Sequence, residues 1–245
     1  MKRRNVLAGL AALTTAGCSK IGKTEWFGGL VDGAGKLHRG AHRAMGGRLP
    51  MAREYTAADI SPYFRGNGNK EIPTDDYRAH LAGGFADWTL EVRGLVDRPL
   101  RLSLDQVRAL PQRTQITRHD CVEGWSAIGQ WTGPQLSAIL AMAGLRDAAK
   151  FVVFRCADKF GEAPYYESCD LDDALHPQTI IAHQLNGEPL PERNGAPLRL
   201  RIERQLGYKH AKFLTAIEAV AGLAGIEGGK GGYWEDRGYQ WYAGV

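Results

Sequence analysis

The sequence predicts a mixed α+β domain in which short strands outnumber helices. Residues 88–93 alternate apolar Trp88, Leu90 and Val92 with polar neighbours, which is the period-two pattern of a half-buried strand. Helical spacing is confined to short stretches, and no segment repeats at a fixed period. Several strands with scattered short helices favour the α+β class over a doubly wound parallel sheet.

Length and composition are those of an ordinary globular protein. The 245 residues suffice for a sizeable core, in one large domain or two small ones. Hydrophobic residues make up 44% and charged residues 24% of the chain, both in the usual range. The net charge of +4 allows an anionic small ligand but is too small to indicate nucleic acid, so we predict no nucleic-acid partner.

Residues 1–18 are predicted to be an export signal. Basic residues 2–4 precede an apolar run over 6–16 that is too short to span a bilayer as a helix. The paired arginines resemble a twin-arginine signal, the route that exports folded proteins, so we predict a periplasmic protein. Gly17-Cys18 also allows a lipid anchor at Cys18.

Beyond the signal, the sequence predicts a lead-in followed by one domain. Residues 19–50 are Gly-rich and basic with little periodicity, which predicts an extended or mobile lead-in, and residues 51–245 form the domain. The stretch 213–220 fits either a helix or a strand. The sharpest local predictions are a capping box at Ser103 and Gln106, a helix over 136–143 capped by Thr132 with Pro134 in its first turn, a strand over 151–154, a helical piece over 170–175 and a hairpin turn at Asn186-Gly187.

One stretch carries the clearest chemistry. Cys121 follows the charged triplet 118–120 and precedes Gly124. Because a core cysteine usually sits in an apolar run, this setting predicts a loop cysteine exposed as a thiolate. The thiolate is the form that acts as a nucleophile or a metal ligand.

The other cysteines and the nucleotide motifs give weaker indications. Cys156 and Cys169 could form a disulfide, but spacing cannot fix the geometry. The chain lacks CxxC and HExxH motifs, so zinc is unsupported. It also lacks GxGxxG after a strand and a phosphate loop, so dinucleotide chemistry finds no support.

A basic cluster in the last third of the chain has two interpretations. It is either a solvated strand face or a phosphate-binding site, and the pattern leaves the two evenly balanced. His119 and His183 could be ligands or bases, although a hydrogen-bonded structural role suits His183 better. The residues of the basic cluster are Arg199, Arg201, Arg204, Lys209, His210 and Lys212.

Three ordered motifs together resemble the sulfite-oxidase superfamily of molybdopterin enzymes. They are CVEGWS at 121–126, NGAPLR at 194–199 and GYKHAK at 207–212, and FRGN at 64–67 loosely matches a fourth. The resemblance covers residues 60–245 and is closer to the bacterial exported branch, which includes a periplasmic methionine-sulfoxide reductase. It implies a single-domain, β-rich fold of the sulfite-oxidase type with a molybdenum–molybdopterin cofactor.

The resemblance also implies roles for particular residues. Cys121 would be the protein's thiolate ligand to molybdenum, a soft ligand beside the two sulfurs of the pterin. Arg199 and Lys212 would hold the pterin phosphate, and Arg65 would have a catalytic role near the substrate. Tyr233, Trp234 and Arg237 are candidates for lining the entrance. The residues assigned to the cofactor are Asn67, Cys121, Cys156, Asn194, Arg199, His210, Ala211 and Lys212.

The implied reaction is a two-electron oxygen-atom transfer, with its direction open. The substrate is either sulfite or another small oxo-anion that is oxidised, or free or protein methionine sulfoxide that is reduced. The chain has no CxxCH haem motif, so a separate haem protein or cytochrome is the expected electron partner. It ends too early for the immunoglobulin-like dimerisation domain of eukaryotic sulfite oxidases, so a monomer is expected.

The sequence alone leaves two rival hypotheses open. In the first, Cys121 is a metal-free catalytic nucleophile with His119 or His183 as its base. In the second, the protein is a non-catalytic periplasmic binding module.

Overall fold

The computed structural model describes residues 24–46 and 50–245. Contacts divide the chain into two compact units, Met1–Gly47 and Arg48–Val245. The predicted export signal and its Cys18 lie outside the described residues. In the described part of the chain, no helix combines the length and apolar character needed to cross a bilayer.

The first unit contains helix α1 (Glu25–Gly46). The prediction of an extended lead-in over 19–50 is therefore wrong for this stretch. Trp26, Leu30 and Leu37 are spaced by four and seven residues, which places them on one face of a helix. Six glycines in the same 22 residues masked that pattern in the sequence.

A five-stranded sheet forms the centre of the second unit. Strands β1 and β11 run parallel, and all other neighbours in this sheet are antiparallel. The alternation at Leu90 and Val92 buries both side chains, which confirms the predicted strand. Residues 213–220, compatible with helix or strand, form a strand because two neighbouring strands hydrogen-bond to them. In spatial order the strands are β2 (Leu100–Ser103), β1 (Thr89–Gly94), β11 (Leu214–Val220), β5 (Phe151–Phe160) and β6 (Ala163–Asp170).

Two smaller sheets complete the strand architecture. Asn186 and Gly187 have φ values of 55° and 84° and close the predicted hairpin turn. One sheet contains β3 (Gln112–Cys121), β4 (Trp125–Pro134), β8 (Gln184–Leu185) and β9 (Glu188–Pro189), and the other contains β7 (Ile180–Ala182) and β10 (Arg199–Arg201).

The helices of the second unit are short and mostly begin at a capping residue. The reciprocal capping box at Ser103 and Gln106 is confirmed. The prediction that Thr132 caps a helix is wrong, because Thr132 and Pro134 belong to β4 and pair with β3. The helices are α2 (Asp75–Ala82), α3 (Leu104–Ala109), α4 (Leu136–Ala143) and α5 (Leu171–Ala174), and the 3-10 turns cover Ala57–Asp59, Glu192–Asn194, Gly207–Lys209 and Glu235–Arg237.

The core consists of one large and two small apolar clusters. The large one joins the five-stranded sheet to α3 and α4. A second surrounds Trp131 and Phe64, and the third surrounds Tyr165, Tyr166 and Tyr233. The third cluster contributes Phe160, Tyr165 and Trp234 to the walls of the cavity described below.

Candidate functional site

A cavity of about 160 Å³, open to solvent on one side, lies where β3, β5, the 67–69 loop and the 207–212 segment meet. Its walls combine a cysteine, a buried cation, two carboxylates and several aromatic rings. The lining residues are Asn67, Gly68, Asn69, Cys121, Val122, Glu123, Asp158, Phe160, Tyr165, Tyr208, His210, Lys212, Trp234 and Tyr239.

Cys121 reaches this cavity from the last position of β3. It pairs with Trp125 across a tight turn, and Gly124, at φ +84°, donates its N–H to the Cys121 carbonyl at 3.0 Å. Only 8% of Cys121 is exposed, so the predicted exposed loop cysteine is wrong. Burial raises the pKa of its thiol, and a bound metal ion would have to displace the proton.

Strand alternation explains why a cysteine among charged residues is buried. Thr117, His119 and Cys121 are buried on one face of β3. Arg118 and Asp120 point away from that face and pair with each other at 2.9 Å. The charged neighbours thus satisfy one another at the surface while the cysteine faces inward.

The basic cluster is buried, and half of its buried Lys and Arg residues lack a carboxylate. Arg201 pairs with Glu203 at 2.6 Å, and Lys209 contacts Glu167 and Glu235. Arg199 and Lys212 are equally buried, at 0% and 4% exposure, but neither forms an ion pair with any described residue. A solvated strand face is therefore excluded, and these two buried cations have no ion-pair partner among the described residues, although the charges of Asp158 and Glu123 act on Lys212.

Arg199 lies behind the cavity wall and is held by neutral groups. It donates to the Asn194 carbonyl at 3.1 Å and to Asn67 Oδ1 at 3.0 Å. Its Nε has no hydrogen-bond partner in the described part of the chain. Burial and the charge of Arg201 lower the pKa of Arg199 to about 9.

Lys212 reaches the cavity itself. Its Nζ donates to the carbonyls of Asn69 and Arg193. Burial and the charge of Arg199 lower the pKa of Lys212 to about 7. Gly195, at φ +105°, permits this arrangement, because a Cβ there would meet Lys212 Cβ at 2.7 Å.

Two buried histidines, His119 and His210, lie with their ring centroids 5.0 Å apart. His210 Nε2 donates to the Gln205 carbonyl at 3.0 Å, so Nδ1 is an acceptor, and it has no partner among the described residues. His119 Nδ1 accepts from Arg201 at 2.9 Å, since a guanidinium only donates. Burial and the charge of Arg201 lower the pKa of His119 well below its usual value.

These groups fit an anionic cofactor that contains a soft metal. A thiol suits molybdenum, two cations without carboxylates suit a phosphate, and Arg199 Nε and His210 Nδ1 offer unused hydrogen-bonding positions. The sequence profile described as "Oxidoreductase molybdopterin binding domain" matches residues 78–222.

The chain belongs to this family. It is 45% identical over 159 residues to "Putative protein-methionine-sulfoxide reductase subunit YedZ1" of Azospira oryzae, covering 65% of this chain and 56% of that protein. It is 36% identical over 158 residues to the "Protein-methionine-sulfoxide reductase catalytic subunit MsrP" of Xanthomonas axonopodis pv. citri, covering 60% and 49%. The chain thus spans about half the length of the curated relatives it matches.

A solved structure supports the fold. Sulfane dehydrogenase SoxCD from Paracoccus pantotrophus superposes with a TM-score of 0.52 at 21% identity, over 56% of this chain and 39% of that one. The β-rich single domain of the sulfite-oxidase type and its molybdopterin cofactor, both implied by the sequence motifs, are confirmed.

Within this molybdopterin-binding domain, the predicted cofactor residues form two layers. Asn67, Cys121, His210 and Lys212 line the cavity, whereas Arg199 stands behind Asn67. The second layer also includes Asn194, whose Nδ2 donates to the Arg65 carbonyl at 3.2 Å, Ala211, whose carbonyl accepts from Leu200 N–H at 2.8 Å, and Cys156, which pairs with Leu214 in the sheet.

The cysteines on β5 and β6 are not joined. Cys156 and Cys169 are both free thiols in the structure. Cys169 lies opposite Val152 in the ladder, four residues along β5 from Cys156, so the sheet register separates the two sulfurs. The disulfide that spacing allowed is therefore absent.

The structure places Arg65 and the entrance candidates at different positions relative to the cavity. Arg65 is exposed and lines a separate depression with Tyr63, Lys70 and Arg193, which borders the cavity at Glu123. Its catalytic role stays a prediction. Of the three entrance candidates, Trp234 lines the cavity, Tyr233 packs beneath it against Phe160, and Arg237 lies over the Tyr233 ring at 3.5 Å.

The metal-free nucleophile hypothesis finds no geometric support. With Nδ1 of His119 accepting from Arg201, its Nε2 carries the proton and cannot take one from the Cys121 thiol. His183 contacts Gln112 Oε1 at 2.9 Å and does not line the cavity. Neither of the two histidines that this hypothesis names is therefore placed to activate Cys121.

The sequence motifs missed several cavity residues. Asp158 is 3% exposed, its Oδ2 accepts from Asn69 at 3.0 Å, and its Oδ1 has no partner among the described residues. Burial raises the pKa of Asp158 to about 6. In the sequence, Asp158 is marked only by being a polar residue on a strand that begins with four apolar residues.

Proposed function

We propose that this chain is a periplasmic molybdenum–molybdopterin oxidoreductase that reduces methionine sulfoxide by two-electron oxygen-atom transfer. The observation that carries the proposal is the Cys121 thiol in one cavity with Lys212, with Arg199 buried behind the cavity wall and neither cation in an ion pair with a described residue. The names of the relatives support the choice of substrate.

Different residues of the chain would bind different parts of the cofactor. Cys121 would supply the thiolate ligand, Lys212 and Arg199 would balance the pterin phosphate, and Asn67 and His210 would flank the ring system. When bound, the molybdenum cofactor supplies a centre that exchanges an oxygen atom and an electron pair. The protein's contribution is to fix the cofactor and exclude competing ligands.

The cavity wall favours a neutral sulfoxide over sulfite. Phe160, Trp234 and Tyr239 form an aromatic side of the cavity, and Glu123 adds a carboxylate. Aromatic rings make favourable contacts with thioether sulfur, whereas a carboxylate repels a small anion such as sulfite. A methionyl side chain therefore matches this entrance better than an oxo-anion.

Sulfoxide reduction needs protons as well as electrons. Two electrons and two protons convert the sulfoxide into a thioether and release the oxygen as water. The Asp158 carboxyl lines the cavity, and its raised pKa lets it hold a proton near neutral pH. We assign it the role of delivering a proton, through Oδ1, toward the departing oxygen.

The cellular setting follows from the sequence motifs. The twin-arginine-like signal supports export to the periplasm, and the absence of a CxxCH motif in this chain supports a separate haem protein as electron donor. A monomeric catalytic chain is the simplest form of this proposal.

A paired assay tests the function. Protein made in a host that synthesises the cofactor is supplied with a reduced dye and methionine sulfoxide, and separately with an oxidising dye and sulfite. The proposal predicts turnover of the sulfoxide, weak or no turnover of sulfite, and loss of activity in Cys121→Ser. Efficient sulfite oxidation without sulfoxide reduction would contradict the proposed direction.

A further inference from the structure

Helix α1 presents an apolar face to solvent. Trp26, Leu30 and Leu37 are 64%, 60% and 75% exposed, far more than packed side chains allow. The apolar stripe that contains them is Trp26, Leu30, Ala34, Leu37, Ala41 and Ala44, at spacings of three and four residues along the helix.

The opposite side of the helix has a small excess of positive charge. Lys36, Arg39 and Arg43 follow one another at spacings of three and four, about half a turn of the helix away from the apolar stripe, and the positions of Glu25 and Asp32 fall on the same side. Residues 19–50 carry six Lys and Arg against two acidic residues, whereas residues 51–245 carry 22 against 25. The positive charge of the chain is therefore concentrated near its beginning, and the domain is slightly acidic.

Composition indicates that this helix needs a surface to lie on. Six of its 22 residues are glycine, and each costs about 1 kcal/mol relative to alanine in a helix interior. Most helical stability in proteins comes from packing of an amphipathic face and not from intrinsic propensity, so burial of the apolar face has to stabilise this glycine-rich helix.

We infer that α1 is an interfacial helix that binds the chain to an anionic lipid surface. An apolar face with an aromatic residue, a polar opposite face with three Lys and Arg residues, and insufficient hydrophobicity to span a bilayer are the features of helices that lie in the plane of the headgroups. The excess of Lys and Arg over residues 19–50 is complementary to anionic headgroups, which the acidic domain alone would not attract. This inference is independent of the catalytic chemistry.

Vesicle co-sedimentation of the full chain tests the inference. Vesicles of phosphatidylcholine alone are compared with an equal mixture of phosphatidylcholine and phosphatidylglycerol. Wild-type protein is expected to bind the anionic vesicles about tenfold or more tightly, and high salt to weaken that binding. Equal binding to both vesicle types would overturn the inference. Binding to neither vesicle type would also overturn it, and would point to a protein partner for α1.

Matched variants separate the two faces of the helix. Leu30→Glu combined with Leu37→Glu is expected to reduce binding at least about tenfold, because both side chains would enter the interface. Lys36→Glu is expected to reduce binding to anionic vesicles by about tenfold while leaving the weak binding to neutral vesicles unchanged. Leu175→Glu, the same change at a leucine 44% exposed on the domain, serves as the control and should bind like wild type. Binding that survives the double leucine substitution would assign the contact to another part of the chain.

Discussion

Lys212 should destabilise the cofactor-free protein, and replacing it with methionine should make that form more stable. Its Nζ is buried and donates to two carbonyls, and the charges of Asp158 and Glu123 act on it without forming an ion pair. A buried charge that lacks an ion-pair partner costs several kcal/mol, and neutral replacements of similar volume are often stabilising. The positive charge of Lys212 is part of a site in which the cofactor supplies the balancing negative charge.

The magnitude follows from the lowered pKa of Lys212. The group titrates at about 7 when folded, whereas an unfolded lysine titrates near about 10.4. The unfolded chain therefore binds more protons between these values, and the stability of the cofactor-free protein rises with pH across that window. At pH 7 the shift corresponds to at most about 4 kcal/mol.

The net effect is smaller because the methionine cannot donate a hydrogen bond. Two carbonyls lose a donor, at about 1 kcal/mol each. We therefore expect Lys212→Met to stabilise the cofactor-free protein by about 1–2 kcal/mol at pH 7, with the gain falling to zero at about pH 9 and turning into a loss above it. In the loaded protein the sign reverses, because the variant should lose its pterin.

Denaturant unfolding of protein made in a host without the cofactor provides the assay. Lys209→Met is the matched control, since Lys209 is equally buried but pairs with Glu167 and Glu235. That variant should lose about 3–5 kcal/mol because it leaves buried carboxylates unpaired. If Lys212→Met were as destabilising as Lys209→Met, the protein itself would balance Lys212 and the reasoning would fail.

Three further changes test other parts of the structure. Gly207→Ala should lower stability by about 1–3 kcal/mol and reduce cofactor retention, because a Cβ there would meet His119 Nε2 at 2.5 Å; unchanged cofactor content and unfolding midpoint would contradict this contact. Trp234→Ala should raise KM for methionine sulfoxide about tenfold with little change in kcat, and a selective loss of kcat would contradict its place at the entrance. Alkylation of the denatured, unreduced protein should label both Cys156 and Cys169, and protection of the pair would reveal a disulfide.

Sequence patterns predicted the parts of the fold that depend on neighbouring residues. The capping box at Ser103, the strand at Leu90 and the turn at Asn186-Gly187 are specified by residues within one turn or one strand. Thr132 shows the limit, since its capping potential was overridden by pairing in the sheet, which includes Gln184 of the distant strand β8. Long-range pairing of this kind cannot be read from local composition.

The sequence predicted which residues form the site, but it did not predict how their charges are paired. The motifs identified Cys121, Arg199 and Lys212, yet the pattern could not separate a solvated strand from a buried one. The distinction depends on which carboxylates reach which cations after folding. Interpreting residues 115–121 as a strand would have placed His119 and Cys121 on the same buried face. The sequence did not predict a role for Asp158, because its hydrogen-bond partner Asn69 is 89 residues away.

The central claim is that the Cys121 sulfur binds the metal of the cofactor. X-ray absorption at the molybdenum edge, on loaded wild-type protein and on a Cys121→Ser sample that retains molybdenum and pterin, measures this directly. The account predicts that the variant has one sulfur ligand fewer than the wild type. An unchanged sulfur count would contradict it.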